Sequence, residues 1–504
     1  MDNKINGIKR LLIVLIALSM STACDERWED MNTDPNQLSS LSDEYLFANA
    51  VRQTFRDQWG RFDIDFGGQH AHIWVADNWN REVDKYNDIH SQGDISERIF
   101  RGIYNGPIRN IVEVLQMTGP GGDFENSARN AQASIIATMN FSRLTDFYGD
   151  IPYFEGGMGK YGILKPVYDD QEVIYDDMVS RLQDAISVLK SASDSEIYSS
   201  AEDPLFAGDR DKWIRFANSL RFRLAMHARF ADPEKYNSVI GECLDEALIE
   251  DNSQNVELEM QDSDNPDLYN PWYNKIIDYQ SGIYTLNLGE KFITALQDIN
   301  DPRLPFFATT TSEDEYLGMP NGLIDTYYAG WSRANSSLAT EQFLAKDQPM
   351  YLMSASEIYL LRAEATLFGL GAGDANELYQ TGIEMAMDQW NIEDSLVVDF
   401  LTNESEASLY GDQENMFRQI ATQLWISFVP NAFEAWTTIR RTGYPVIEQR
   451  TSDMYSKGVS DGYMPSRIKY PFTVEKSTNE ENQDAAIANM GGDKIDLKLW
   501  WDVR

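Results

Sequence analysis

"SASEIYLLRAEATLFGLGAGDANELYQTGIEMA", Ser354 to Ala386, holds two apolar-periodic runs separated by a glycine-rich break. Ser354 with Glu357 forms a capping pair ahead of the first run, and Asp374 with Glu377 forms one ahead of the second. Between them "GLGAG" from Gly369 supplies the backbone freedom that ends one helix and allows the next to begin. The stretch therefore predicts a helix pair.

Within that pair Tyr359, Ala363, Ala375, Tyr379 and Gly382 fall at the bulky and small positions of a tetratricopeptide repeat, whose period is about 34 residues. Small side chains at Ala363, Ala375 and Gly382 would let two helices approach closely, with the tyrosines filling the flanking space. Other runs extend the helical pattern. Ile174, Met178, Leu182, Ala185 and Leu189 make one apolar stripe, with Asp169 and Glu172 as its expected capping pair. Further helices are expected near Ala128–Phe147, Lys212–Arg229, Tyr236–Ile249 and Glu414–Phe428. The fold class predicted is mainly all-α: tetratricopeptide-like helix pairs forming one scaffold with a loop-rich face.

Between about Glu250 and Met350 the composition shifts to Asn, Asp, Pro, Gly and aromatic residues, as in "DSDNPDLYNPWYN" and "PNGLIDTYYAGWS". Ordered loops on a rigid scaffold are where binding residues concentrate. The organisation expected is a single domain over 39–504, with a helical part to 250, a loop-rich insertion over 251–350, tetratricopeptide-like helices over 351–442 and a loop-rich end over 443–504.

The first 38 residues read differently. Lys4, Lys9 and Arg10 precede an apolar run, Leu11 to Met20, that is too short to span a bilayer, and small residues then lead to Cys24. That pattern predicts a signal peptide over 1–23 and a lipidated tether over 24–38, with the lipid on Cys24. Only Cys243 remains elsewhere, so the mature chain has no intramolecular disulfide. A chain of 504 residues with 42% hydrophobic and 12% aromatic residues buries a large core without one.

The formal charge of −39 argues against nucleic acid as a ligand, because binding there depends on Lys and Arg displacing counterions. Most of the 81 acids are expected to be solvated surface. No HExxH motif is present. "GMGKYG" places Gly157, Gly159 and Gly162 at dinucleotide-loop spacing, but Pro166 follows in place of a helix start, so it reads as a loop. His70 and His72 read as hydrogen-bonded structural histidines rather than metal ligands. "DSDNPD" from Asp262 has alternating acids but lacks the turn glycine of a calcium loop. No cofactor is expected; a structural calcium on an irregular acidic loop is the one metal the composition leaves open.

A neutral sugar offers C–H faces that rest on aromatic rings and hydroxyls that need paired donors and acceptors. "GGQHAHIWVADNWNREVDKYN" supplies both: Trp74 and Trp79 with Asp77, Asn78, Asn80 and Arg81 interleaved. Two further clusters are Tyr269, Trp272 and Tyr273, and Tyr327, Tyr328 and Trp331. The expected ligand contacts are Trp79, Trp74, Asp77, Asn78, Arg81, Trp272, Tyr273, Tyr328 and Trp331.

Several stretches taken in order resemble the SusD/RagB family of nutrient-binding lipoproteins: "NTDPN" at Asn32, "LTDFYGDIPY" at Leu144, "DKWIRFANSLRFRLAMHAR" at Asp211, "EIYLLRAEA" at Glu357, "FEAWTTIRRTGYP" at Phe433, "RIKYPFTVEKSTNEENQDAA" at Arg467 and "LWWD" at Leu499. The resemblance implies a non-catalytic surface lipoprotein of the outer membrane. Such a protein captures oligosaccharide, or peptide in some relatives, for a SusC-like TonB-dependent transporter. The matched motifs themselves, such as Trp213, Asn218, Arg221, Tyr470, Pro471 and Asn482, read as packing and turn residues. A glycoside hydrolase using two carboxylates is the competing class.

Overall fold

Helices dominate because their apolar stripes find one another around a common core that runs in sequence from Leu46 to Trp501. The computed structural model describes residues 42–76, 81–87, 95–273, 286–332 and 334–504. The expected signal peptide, Cys24 and the tether lie outside these residues, as do Asp77, Asn78, Trp79 and Asn80. No helix among the described residues is long and apolar enough to cross a membrane.

The N-terminal helices are α1 (Asp43–Asp57), α2 (Ile95–Ile103), α3 (Arg109–Thr118) and α4 (Ser127–Tyr148). Asn126 caps α4 by accepting from the N–H groups of Ala128 and Arg129 at 3.0 and 3.1 Å. From Ala131 to Tyr148 the helix is buried on nearly every side, as expected of a helix that neighbours surround. Next come α5 (Gln171–Ser191), α6 (Arg210–Ala228) and α7 (Pro233–Leu244). The α5 stripe is buried as its spacing predicts, packing on α4 and α6. Its cap is not the expected pair. Asp169 instead accepts from the N–H groups of Tyr153 and Phe154, both at 3.0 Å, and Asp150 serves Gln171 N–H at the helix start.

Two small antiparallel ladders cross the loop-rich region. β1 (Trp74–Ala76) pairs with β3 (Leu286–Leu288), and β2 (Val256–Leu258) pairs with β4 (Met350–Met353). The helix α8 (Glu290–Asp298) follows β3. The predicted pair is present as α9 (Ala355–Leu367) and α10 (Ala375–Asp388), followed by α11 (Asp394–Asn403), α12 (Gln413–Ser427), α13 (Ala432–Thr442) and, near the C-terminus, α14 (Glu480–Asn489). Gly382 has the role its position suggested: a Cβ there would sit 2.7 Å from Leu360 Cγ, so only glycine permits this approach of α10 to α9. Ser354 Oγ and Asp374 Oδ1 cap the two helices. The capping-box reading of Glu357 is corrected. Its carboxylate turns inward to Arg223, taking bonds of 2.5 Å from Nε and Nη2.

That pair belongs to a buried polar seam that fixes the helices relative to one another. His227 on α6 lies between Asp146 of α4, at 3.5 Å, and Glu434 of α13, at 3.4 Å. Asp146 also accepts from Tyr175 Oη at 2.6 Å and Trp501 Nε1 at 2.7 Å. Arg223, His227 and Arg143 more than offset the burial that would raise the Glu434 carboxyl, and hold it down at about 2. Acting against its own burial, the same carboxylates raise His227 above its ordinary value. A second buried knot joins Glu364 of α9 to Arg229 at 2.8 Å and to Arg441 at 2.6 and 2.7 Å. The family-like motifs therefore build the scaffold. Trp213 donates to Asp203, Asn218 to the Cys243 carbonyl, and Tyr470 to the Asp150 carbonyl. Cys243 itself is a core thiol, pushed up to about 12 by burial.

Candidate functional site

The β1–β3 ladder gathers sequence-distant loops. Trp74 pairs in register with Leu288, Leu288 N–H donates to the Ser337 carbonyl, and Gly289 N–H donates to Ile73. The segments around 81–87, 319–332 and 454–456 thereby meet. Leu323 bridges to Tyr455, with Ile324 N–H on the Met454 carbonyl and Ser456 N–H on the Gly322 carbonyl. Val75, Met319 and Leu323 form a small buried cluster, and Tyr328, Trp331 and Tyr455 pack half-buried against it. Three rings therefore share one apolar foundation, with Tyr327 beside them 45% exposed.

Arg81 clamps this shelf. Its guanidinium carbon lies 3.5 Å from the Tyr328 ring centroid, while its nitrogens donate to Asp325 at 2.9 Å and to the Leu323 carbonyl at 3.1 Å. Lys85 donates to the same Asp325 oxygen at 2.9 Å. That hydrogen bond and the Arg81 charge depress the exposed Asp325 carboxyl, which stays ionised. Stacking, charge and backbone contact thus converge on one loop.

Beneath the shelf lies a buried polar knot. Asp84 accepts from Asn321 Nδ2 at 2.8 Å and from Gly322 N–H at 2.6 Å. Arg450 donates to the Asp84 carbonyl at 2.6 Å and lies over the Tyr86 ring at 3.5 Å. Gly322 has φ +81°, and a Cβ there would stand 2.3 Å from the Arg450 guanidinium, so the turn requires glycine. Burial outweighs Arg450 and raises the Asp84 carboxyl. His72 Nε2 sits 2.9 Å from Tyr86 Oη and 3.4 Å from Arg450. Burial first, then the Arg450 and Lys291 charges, hold His72 well below its ordinary value, so it is neutral.

Behind Tyr455 the knot borders a groove of about 890 Å3 between α8, α12 and the 444–452 loop. Thr294, Gln419, Thr422, Ser452 and Tyr444 contribute hydroxyl and amide groups to its walls. Lys291 lines it without an ion pair or hydrogen bond among the described residues, and partial burial lowers its ammonium. Asn321 Oδ1 and Arg450 Nε are buried with no partner among the described residues. The groove thus lies against the polar knot, with a wall of rings beside it.

The expected contacts divide. Arg81, Tyr328 and Trp331 come together on the shelf. Trp74 and Trp272 do not join them: at 0% and 1% exposure they meet edge to face in the core, 5.2 Å apart, and cannot present a ring to a ligand. Gly68 closes over Trp74, and Phe343 covers Trp272. Tyr273 is half-buried beside Tyr269 with Lys346 Nζ 5.2 Å from its ring, forming a separate cation-flanked pair. Trp79, Asp77 and Asn78 lie outside the described residues. Sequence reasoning missed Tyr455, Lys85, Asp325 and the Asp84–Arg450 knot. Only the loop-rich character of 443–504 hinted at Tyr455.

The metal expectations meet specific partners. In "DSDNPD", Asp264 pairs with Lys346 and Asp267 with Arg56. No three His, Cys, Asp or Glu residues converge among the described residues. His70 is buried against Trp436 at 4.9 Å between ring centroids, and its pKa falls to about 3 through burial.

Similarity to solved structures covers nearly the whole chain. A chitin-binding protein is 26% identical with a TM-score of 0.77, over 92% of this chain and 99% of its own. A SusD homolog from Bacteroides uniformis is 25% identical with a TM-score of 0.77, over 91% of this chain and 100% of its own. A chitin-binding SusD homolog from Flavobacterium johnsoniae, 21% identical with a TM-score of 0.77 over 91% and 99%, shares the fold. No curated protein matches the chain. Residues 35–471 match the SusD-like family whose description is "starch-binding associating with outer membrane". Over most of its length, then, this chain belongs to the SusD-like family.

Proposed function

We propose that the protein is a non-catalytic glycan-capturing lipoprotein, held at the outer-membrane surface by lipid on Cys24, that passes oligosaccharide to a SusC-like TonB-dependent transporter. The observation that carries this reading is the clamped shelf of Tyr328, Trp331 and Tyr455 beside a groove lined with hydroxyl and amide groups. Flat rings supply dispersion and C–H contacts to a sugar face, and the groove supplies partners for its hydroxyls. Because Arg81 and the Asp84 knot hold the shelf before ligand arrives, less ordering entropy opposes binding. Trp79, Asp77, Asn78 and Tyr273 are proposed as further contacts. Family membership and a chitin-binding protein of similar structure support a glycan ligand.

The test is a panel of malto-oligosaccharides, chitin oligosaccharides and plant-type glycans, with a peptide pool as competitor. The reading expects retention of a glycan class with no new reducing ends. Retention of peptides alone would move the ligand class, and rising reducing ends would make the protein a hydrolase.

A further inference from the structure

A second cavity, of about 840 Å3, shares no lining residue with the groove and has the size of a small-molecule pocket. Phe100, Tyr104 and Phe124 bring rings to it, and Leu46, Met117 and Val474 add aliphatic surface. Phe100 and Tyr104 lie 4.7 Å apart between ring centroids, and Tyr104 Oη donates to the Pro152 carbonyl at 2.6 Å. Phe124, 39% exposed, is anchored by its N–H on the Met117 carbonyl at 2.9 Å. Gly156, Gly157 and Gly159 form a further wall. A Cβ on Gly156 would stand 2.3 Å from the Pro152 carbonyl oxygen and 3.1 Å from a Tyr104 ring carbon, so glycine lets this loop lie against the ring.

The charges lining the cavity balance, with Arg101, Arg109 and Lys160 against Glu113, Asp123 and Glu475. Lys160 pairs with Glu113, Arg101 pairs with Glu97, and Glu475 accepts from Tyr168 Oη. An ion of either sign finds no net attraction here. What remains unclaimed is a mixed set of hydrogen-bonding groups. The side chains of Asn105, Arg109 and Asp123 make no hydrogen bond or ion pair among the described residues. Asn110 is only 5% exposed; its Nδ2 donates to Gln53 at 3.0 Å, while its Oδ1 has no partner among the described residues. Amide oxygens this deeply placed normally accept a bond.

We infer that this cavity is a second binding site, for an uncharged sugar, with Phe124 and Tyr104 as its stacking surface and Asn105, Arg109, Asn110 and Asp123 as its hydroxyl partners. Donors and acceptors stand side by side here, and a hydroxyl group answers both. A ring of hydroxyls with C–H faces also uses the aromatic wall. An aliphatic chain would leave the Asn110 oxygen without a donor, and a charged ligand would meet balanced charge. The inference rests on the glycan-capture reading for its setting, but on none of the shelf residues.

The test uses the protein carrying Trp331→Ala, which weakens the shelf, with maltose, cellobiose, mannobiose and diacetylchitobiose as probes. Expected is slower hydrogen exchange over residues 104–124 and 156–160 with at least one disaccharide. Its Kd, titrated by NMR, should weaken at least about tenfold when Phe124→Ala/Arg109→Ala removes a ring and a donor. Gly159→Phe should weaken it as much by obstruction, since a Cβ there meets nothing within 4 Å, and melting should not change in either variant. Protection by none of the disaccharides overturns the inference, and so does an equal Kd in both variants. Protection by a peptide pool alone makes the cavity a peptide site and the sugar assignment wrong. Glycan retention unaffected by Trp331→Ala would count against the shelf, while exchange over 104–124 reports on the cavity, so either reading can fail alone.

Discussion

Replacing Arg81 with Met leaves an apolar stem over Tyr328 but removes the guanidinium that joins ring, carbonyl and carboxylate. Stacking of a partly exposed cation on Tyr328 contributes about 0.5–1 kcal/mol. The bond to the Leu323 carbonyl contributes about 1.5 kcal/mol, as expected for a charged donor. The Asp325 pair adds little, because that carboxylate is 79% exposed and retains Lys85. The sum is about 2 kcal/mol of local stability, or roughly 30-fold faster exchange through opening of the 324–331 turn. The reporting amides are Tyr327 and Tyr328, both bonded to the Ile324 carbonyl, and Trp331, bonded to Tyr328. Hydrogen exchange by mass spectrometry reads this segment without any ligand. Arg81→Lys keeps a charge near Asp325 but loses the planar stack, and should show roughly half the energetic effect. Exchange unchanged in Arg81→Met, or acceleration spread evenly over α4 and α6, would refute the clamp.

Three further outcomes follow from the scaffold. Glu364→Gln leaves Arg229 and Arg441 buried beside a neutral amide, and should cost about 3–5 kcal/mol in urea unfolding. Gly382→Ala drives a methyl to within 2.7 Å of Leu360 Cγ and should cost about 1–3 kcal/mol, separating α9 from α10. His227 has a raised folded pKa, so its protonated form stabilises the fold below the ordinary histidine value and that stability is lost as pH rises through the raised one. The stability gap between the parent protein and His227→Gln, by urea titration, should therefore be wider near about pH 6 than near about pH 9.

What the sequence made legible was local. The α5 stripe, the Gly369 break and the Ser354 and Asp374 caps depend on neighbours within a few residues, so their geometry follows from spacing. The errors arose where tertiary partners intervened. Asp169 and Glu357 carry capping chemistry, but distant groups claim their carboxylates. Trp74 and Trp272 sit among polar residues in short elements and read as exposed. The β1–β3 pairing and each other's rings enclose them. The Asp84 knot draws on 84, 321 and 450, which no local pattern connects. Arg81, Tyr328 and Trp331 were identifiable as residue types suited to sugar, though their meeting depends on Leu323 and Tyr455.

The most direct measurement is calorimetric titration of the best-retained glycan into the parent protein and Trp331→Ala. Loss of one stacking ring of the shelf should cost about 2 kcal/mol, a roughly 30-fold weaker Kd, with melting temperature unchanged. An unaltered Kd in Trp331→Ala would place the ligand elsewhere and contradict the account.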